Sequence, residues 1–452
     1  MKSMFHIIFT SLLVTNCTIP KFETHTARKS AGAIPLEWSM VSSSRSIQAN
    51  WIAQFNDPAL SALVLEAQQH NRELQSLAAN IERSKALARQ AGSALFPNAN
   101  LIISSNRNSE AGLRTDHQNT SLNISWEIDI WGRIRSERKA ALASAQAVEA
   151  DYHFAQYSLA AAVARAYFTA IDARTQASIL KQLESGLQHI NKIVKFQLQE
   201  GVASKQDLAV SRSDLAAIRS RLAAADMATR DSLRALELLL GRYPSAEIGV
   251  RWELPTAPPM PGPGLPSELL ERRPDVIAAE QRVAAAFYTV NVAKTARLPR
   301  LSLTALSGGT AAELSNILDR DNRSWSIGTE LLAPIFQGGA LKAQVENANA
   351  AQKAAIAAYG QAALNSFNDV ESSLDAGTVL VQQEEQLEQA YESANEPYRI
   401  AKLRFDEGDI HIFDLLSVQQ RVFNRELELM TIKRSILEQR VNLYLALGGA
   451  WN

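Results

Sequence analysis

Two hydrophobic periods alternate along this chain. Leu122, Ile124, Trp126, Ile128 and Ile130 are interleaved with Asn123, Ser125, Glu127 and Asp129. Further on, Trp325, Ile327, Thr329 and Leu331 are interleaved with Ser326, Gly328 and Glu330. Leu101 and Ile103, and later Leu301 and Leu303, open weaker alternations after Pro97 and Pro299. A period of two with one polar face predicts strands. The stretch after each strand pair has a different character. From Gly132 to about Gln199, and from about Ser204 to Leu240, the chain is rich in Ala, Leu, Gln, Glu and Arg. Residues from about Gly339 to Arg404 and from about His411 to Leu447 repeat that composition. These are helix formers. At about 1.5 Å per residue the first piece alone reaches roughly 100 Å, which suits a coiled coil or a helical tube and not a globular core.

The pattern is written twice. Glu200-Gly201 precedes Asp207-Leu208 at the spacing with which Glu407-Gly408 precedes Asp414-Leu415, an offset of 207 residues. The same offset carries Leu240-Gly241 onto Leu447-Gly448 and Gly132 onto Gly339. Upstream the offset is 202, taking Pro97 to Pro299 and Glu73-Leu74 to Asp275-Val276. Between the copies, seven of the 15 prolines lie from Pro244 to Pro266, a composition that keeps a linker extended. The expected organisation is a signal peptide over 1–16, an N-terminal segment over 17–50, one repeat over 51–243, a linker over 244–264 and a second repeat over 265–452.

The alternating segments fit either a soluble antiparallel sheet or a membrane barrel whose outer face is apolar. The neighbouring helices are too long to cover a soluble sheet, which favours the barrel, with Trp126 and Trp325 on its lipid face. Four strands cannot close a membrane barrel, whose minimum is about eight, so strands must be pooled between chains. Two chains reach only that minimum and three give twelve; the sequence favours an oligomer without choosing. No run of 18 apolar residues occurs after residue 17, so a transmembrane helix is not expected.

Composition narrows the function. Lys and Arg number 46 against 47 Asp and Glu, without the basic excess of a nucleic-acid binder. The seven histidines are scattered and form no His-Glu-x-x-His pair, and no phosphate-cradling glycine loop occurs, so no catalytic or metal residues are assigned. The six methionines are unclustered, leaving no soft-metal relay. A short positive and apolar leader ends at Cys17, the only cysteine. Leu13-Val14-Thr15-Asn16-Cys17 resembles a bacterial lipobox, with Asn16 departing from the small residue usual there. Covalent lipid on Cys17 is therefore the one modification expected, with no other cofactor.

The chain resembles the TolC family of outer-membrane efflux channels, in its lipoprotein branch serving RND-type tripartite pumps. The resemblance is carried by Trp51, Phe55-Asn56-Asp57-Pro58-Ala59-Leu60, Leu270-Glu271-Arg272-Arg273-Pro274-Asp275-Val276, Pro334-Ile335-Phe336-Gln337-Gly338-Gly339 and the two Glu-Gly turns. It implies a mainly α fold with a membrane β-barrel portion. Long antiparallel helical hairpins would form a trimeric α-barrel in the periplasm, and four strands per chain would complete a 12-stranded trimeric barrel in the outer membrane. It implies a passive duct, not an enzyme, for drugs or other small toxic compounds, with a periplasmic adaptor and an inner-membrane RND transporter as partners. A type I protein-secretion channel and a poreless periplasmic coiled-coil lipoprotein are the alternatives.

Residue by residue, the resemblance places Gly201 and Gly408 at the hairpin tips of the periplasmic mouth. Phe405 stands where members often have tyrosine, and Phe413 where an apolar constriction residue sits. Ser417 replaces a frequent aspartate, and Asp406, Asp409 and Asp414 stand near it; Asp409 and Asp414 join the two phenylalanines as the expected gate. Asp414 also has a plain reading, since a carboxylate early in a helix complements the dipole. Gln197, Lys205 and Arg212 flank the first tip, on solvated faces or against a partner.

Overall fold

A computed structural model describes residues 19–32, 34–35, 37–39, 50–317 and 319–449. Cys17 and the leader over 1–16 lie outside the described residues. In chain order the helices are α1 (Thr24–Arg28), α2 (Pro58–His70), α3 (Arg72–Ser93), α4 (Arg133–Gln199), α5 (Lys205–Leu239), α6 (Pro266–Arg272), α7 (Pro274–Thr295), α8 (Ala340–Asp406) and α9 (Ile412–Ala446). The strands are β1 (Asn98–Glu110), β2 (Leu113–Ile128), β3 (Arg300–Ala311) and β4 (Arg323–Leu332). The chain is mainly helical, with α4 and α8 each 67 residues long and α5 and α9 each 35. None of the described helices is long and apolar enough to cross a membrane.

Compactness divides the chain into two units, and neither is a sequence repeat. The first holds the chain up to Gly32, Ala79–Asp151 and Val276–Ala362; the second holds Ala33–Ala78, Tyr152–Asp275 and Ala363–Asn452. Each unit draws a piece from both copies, because the long helices α4 and α8 pass from one unit to the other.

The first unit carries the sheet. Its order is β1-β2-β3-β4 with every pair antiparallel, so β1 and β4 are edges paired on one side only. The register aligns Leu101 with Leu122, Ile124 with Ala305 and Ile327, Trp126 with Leu303, and Ile128 with Leu301 and Leu331. Directly opposed residues share a face, so these side chains and Trp325, opposite Ser307, form one apolar face across all four strands. Asn100, Asn123, Ser125, Ser302, Thr304, Ser326 and Glu330 occupy the other. Trp325 is 77% exposed, and Trp126 is half-buried with its indole N–H donated to the Leu95 carbonyl at 3.0 Å.

The first hairpin is longer than its hydrophobic alternation. Beyond Ile103, residues such as Ser104, Ser105 and Asn106 pair with Asn119, Gln118 and His117, polar on both faces. Cross-strand pairing holds them instead, including Arg107 Nε donating to Asp116 at 2.6 Å. Ala111 and Gly112 close the hairpin, both at positive φ as a two-residue primed turn requires.

The second unit holds the largest core. Trp51 stacks on Tyr444 at 5.5 Å and Phe55 meets Phe168 at 5.4 Å. Around them, Ala160, Ala161, Ala164 and Ala170 are fully buried. Alanine at these positions lets the wide rings enter against the backbone of α4. Asp57 accepts the Ala59 and Leu60 N–H groups as the cap of α2, with Pro58 as its first residue. Its second oxygen receives the Tyr167 hydroxyl at 3.1 Å and faces Arg251 at 3.3 Å.

The two copies make one equivalent contact within this unit. Asn71 Nδ2 donates to the Leu239 carbonyl at 3.0 Å, and Arg273 Nη1 donates to the Ala446 carbonyl at 3.2 Å. These pairs are related by the two sequence offsets, 202 and 207. Each carbonyl lies in the last turn of a 35-residue helix, where acceptors lack intrahelical partners. Gly241 and Gly448, at positive φ beyond those helices, leave no room for a Cβ against His70 and Arg273. Arg273 is almost fully buried, and also grips Asp275 at 2.7 Å and Asp369 at 2.9 Å.

Arg273→Lys should therefore lower the thermal midpoint of helix loss, by the equivalent of about 3 kcal/mol, since one ammonium cannot replace a buried fork serving several acceptors. Asn71→Ala should cost about half as much, through lost neutral hydrogen bonds. Circular dichroism melts of the intact protein check both, and unchanged midpoints would show that these contacts are not limiting.

Candidate functional site

The site assigned from the sequence lies at the hairpin tips of the second unit. The helices reach it along an apolar seam. Leu180, Leu183, Leu187, Ile190 and Val194 of α4 are buried at alternating spacings of three and four. They meet Leu208, Leu215 and Ile218 of α5 and Ala401, Ile412, Leu415 and Leu416 of α8 and α9. Such spacing is a coiled-coil seam, and it brings both hairpins into one packed end.

Both tips reverse by the same geometry. In the first, Gly201 sits at φ 72° and the Val202 N–H donates back to the Gln197 carbonyl at 2.8 Å. In the second, Gly408 sits at φ 82° and the Asp409 N–H donates to the Arg404 carbonyl at 2.8 Å. Positive φ without a Cβ penalty is why glycine stands at each.

The helix caps just beyond the tips differ. Ser204 Oγ accepts the Asp207 N–H at 3.1 Å while Asp207 Oδ2 accepts the Ser204 N–H at 2.8 Å, a reciprocal box. At the second tip Asp414 Oδ2 accepts the His411 N–H at 3.3 Å, and the Asp414 N–H donates to the His411 carbonyl at 3.0 Å. The backbone N–H and hydroxyl of Ser204 hold the Asp207 carboxyl below the usual range, with His411 adding a smaller attraction. That attraction crosses from one tip to the other.

Phe405 and Phe413 are half-buried against the seam. With Val202, Asp207, His411 and Asp414 they line a 620 Å³ hollow between the tips. Asp409 and Asp414 are exposed, so the tip combines an apolar lining with carboxylates at its surface. Four of the residues assigned from the sequence thus gather here, with Gly201 and Gly408. Trp126 and Trp325 belong to the sheet face of the other unit, and Cys17 lies outside the described residues.

The sequence reading did not single out His411, whose place as the cap residue of α9 is visible only once Gly408 is known to end the turn. It also passed over apolar side chains off the seam. Phe196 is 62% exposed and Val202 76%, and Leu403 is exposed as well. Their signal was phase: Phe196 falls two residues after Val194, outside the three-four spacing. Among the described residues no group of three or more His, Cys, Asp or Glu is placed to hold a metal.

The chain's likeness to known proteins extends over nearly its whole length. The family described as outer membrane efflux protein matches residues 63–242 and 265–449. Outer membrane protein OprJ of Pseudomonas aeruginosa is 29% identical over 442 residues, 94% of this chain and 92% of its own. The toluene efflux pump outer membrane protein TtgF of Pseudomonas putida is 28% identical over 420 residues, 91% of this chain and 87% of its own. Among solved structures, the Campylobacter jejuni CmeC outer membrane channel aligns with a TM-score of 0.85 at 26% identity, covering 97% of this chain and 94% of that one. The outer-membrane channel OprN aligns with a TM-score of 0.85 at 25% identity, covering 96% and 99%.

The Asp207 cap gives a prediction with a definite sign. Its folded pKa lies below its unfolded value, near 3.9, so the stabilisation is present above that value and lost as pH falls through the folded pKa. Amide exchange in the first turn of α5, corrected for intrinsic rates, should accelerate on acidification. Ser204→Ala should weaken that turn by about 1 kcal/mol and flatten the acid response. An identical acid response in the variant would exclude the box as its cause.

Proposed function

This chain belongs to the outer membrane efflux protein family, and from that premise we propose that three copies assemble into a single duct fed by a periplasmic adaptor and an RND-type pump. The chain is an outer-membrane channel and not an enzyme. The observation that carries the proposed assembly is the sheet: four strands, one continuous apolar face and two open edges. Three sheets joined edge to edge make a 12-stranded barrel with its apolar face, including Trp126 and Trp325, toward lipid. The helical hairpins continue the wall into the periplasm. Phe196, Val202 and Leu403, off the seam, then face a neighbouring copy or the adaptor.

In that assembly the second tip lines the constriction. Phe405 and Phe413, repeated about a three-fold axis, form an apolar ring, and Asp409 and Asp414 set its charge. Cys17 carries lipid and anchors the segment before Trp51. The cargo is small toxic compounds, in keeping with relatives whose names specify solvent and toluene efflux. Relatives whose names specify efflux or export of small compounds favour this reading over type I protein secretion.

Extraction in detergent followed by mass measurement should give a trimer, with no folded monomer on dilution; a stable monomer would remove the barrel. In single-channel recordings Phe413→Ala should raise resting conductance, and Asp414→Ala should alter cation preference more than aperture. Asp207→Ala should have the smaller effect on either. If it opens the channel while Phe413→Ala does not, the constriction belongs to the first tip. Cys17→Ser should abolish palmitate labelling while leaving the protein in the membrane, since an embedded barrel does not depend on one acyl chain.

A further inference from the structure

Below the strands of the first unit, one side of the wall is cationic. β1 comes a few residues after α3, and α4 comes a few residues after β2. Between α3 and α4 runs a groove of 410 Å³, lined by Lys85 and Arg89 on one side and Arg138, Leu142, Gln146 and Glu149 on the other. Lys85 Nζ lies 3.0 Å from Glu149. Among the described residues, neither Arg89 nor Arg138 has a carboxylate within 4.0 Å. Gly92 makes room for this arrangement, since a Cβ there would stand 3.2 Å from Arg138 Cδ. The stem of Arg138 therefore crosses close against α3.

Aromatic side chains mark the level of the groove. Phe96 is exposed in the short link between α3 and β1. Trp126 and Trp131 donate their indole N–H groups to the Leu95 and Pro299 carbonyls at 3.0 and 2.7 Å. Aromatic side chains with a wet end mark the edge of the hydrocarbon. Leu142 and Gln146 stand seven and eleven residues after Arg135, so the groove opens on the Arg135 face of α4. At the start of that face Ile19 packs on Gly132, where a Cβ would meet its side chain at 2.8 Å. That this face looks toward lipid rests on the barrel proposed above.

We propose that this groove binds the headgroup of an anionic phospholipid from the periplasmic leaflet. The guanidinium forks of Arg89 and Arg138 donate to its phosphate oxygens, a geometry that suits arginine better than lysine. The acyl chains rise along the apolar sheet face past Phe96 and Trp126. Lys85, paired with Glu149, borders the site without neutralising it.

Native mass spectrometry of the full-length protein, extracted in detergent and incubated with phosphatidylglycerol or phosphatidylcholine, tests this. The protein should retain phosphatidylglycerol in preference to phosphatidylcholine. Arg89→Gln with Arg138→Gln should cut that retention about tenfold or more. Lys192→Gln with Arg212→Gln, the same charge change on the distant hairpin, should leave it unchanged. Gly92→Leu keeps both charges but displaces Arg138, and should also lower retention, so the result does not depend on one variant folding. Equal retention of both lipids, or full retention by the double arginine variant, would overturn the proposal. So would displacement by millimolar inorganic phosphate, which would mean a free-anion site. A changed oligomeric mass in the variants would mean that a second copy covers the groove, and would overturn it too. Palmitate labelling measured on the same samples reports the anchor separately, so that reading can fail while the headgroup site stands.

Discussion

In hydrocarbon an unpaired strand edge leaves backbone groups that each cost several kcal/mol, and this chain presents two such edges, β1 and β4. No rearrangement within one chain removes them, because four strands are too few to close. The apolar face that runs across all four strands forbids the other escape, which is to leave the sheet in water. The edge pairing between copies proposed above would satisfy both conditions at once. Where the strands extend beyond the apolar band, at Ser104–Asn106 and their partners, both faces turn polar and only the ladder hydrogen bonds persist. The sheet is thus graded along its length, apolar where lipid would touch it and hydrophilic above.

The same constraint explains how the helices are stabilised. Helices of 67 and 35 residues paired along their length share no single interior, so burial is split into separate patches. One lies around Trp51, Phe55 and Tyr444, where small residues of α4 admit the rings, and another runs along the seam toward the tips. Beside the seam, cross-helix polar contacts add to the burial, such as Arg219 to Glu184 at 2.9 Å. Arg273 stands out against this background because one buried side chain joins the start of α7, the side of α8 and the end of α9. In the Arg-Arg-Pro-Asp string the second arginine is the clamp and Pro274 starts the helix behind it.

Much of this was legible in the sequence, and the failures are specific. The four long helices could be bounded because a glycine turn punctuates each hairpin, Gly201 in the first and Gly408 in the second. The apolar halves of the strands announced themselves through period-two alternation. The upper half of the β1–β2 hairpin did not, since a strand polar on both faces has no hydrophobic period. Compact units were also illegible, because a repeat describes consecutive residues whereas α4 and α8 each belong to both units. Asp414 shows a subtler limit. A carboxylate three residues into a helix serves a cap and a pore lining equally well on paper; the His411 N–H contact shows the first duty, and the second belongs to the proposed assembly.

That contact separates two tips that the repeat makes look interchangeable. Both reverse through a glycine with the same backbone bond, and both place an aspartate at the same turn. The first tip adds a hydroxyl, so Ser204 and Asp207 satisfy one another at 2.8 and 3.1 Å. The second puts His411 there, and its carboxylate contact is longer, at 3.3 Å. A longer charge-assisted bond without the reciprocal hydroxyl is the weaker restraint. Phe405 and Phe413 flank that weaker restraint, half-buried on the seam and bordering the hollow. The duplicated hairpins therefore differ at one cap residue: a serine hydroxyl completes the box at the first tip, whereas at the second His411 makes the longer contact beside Phe405 and Phe413.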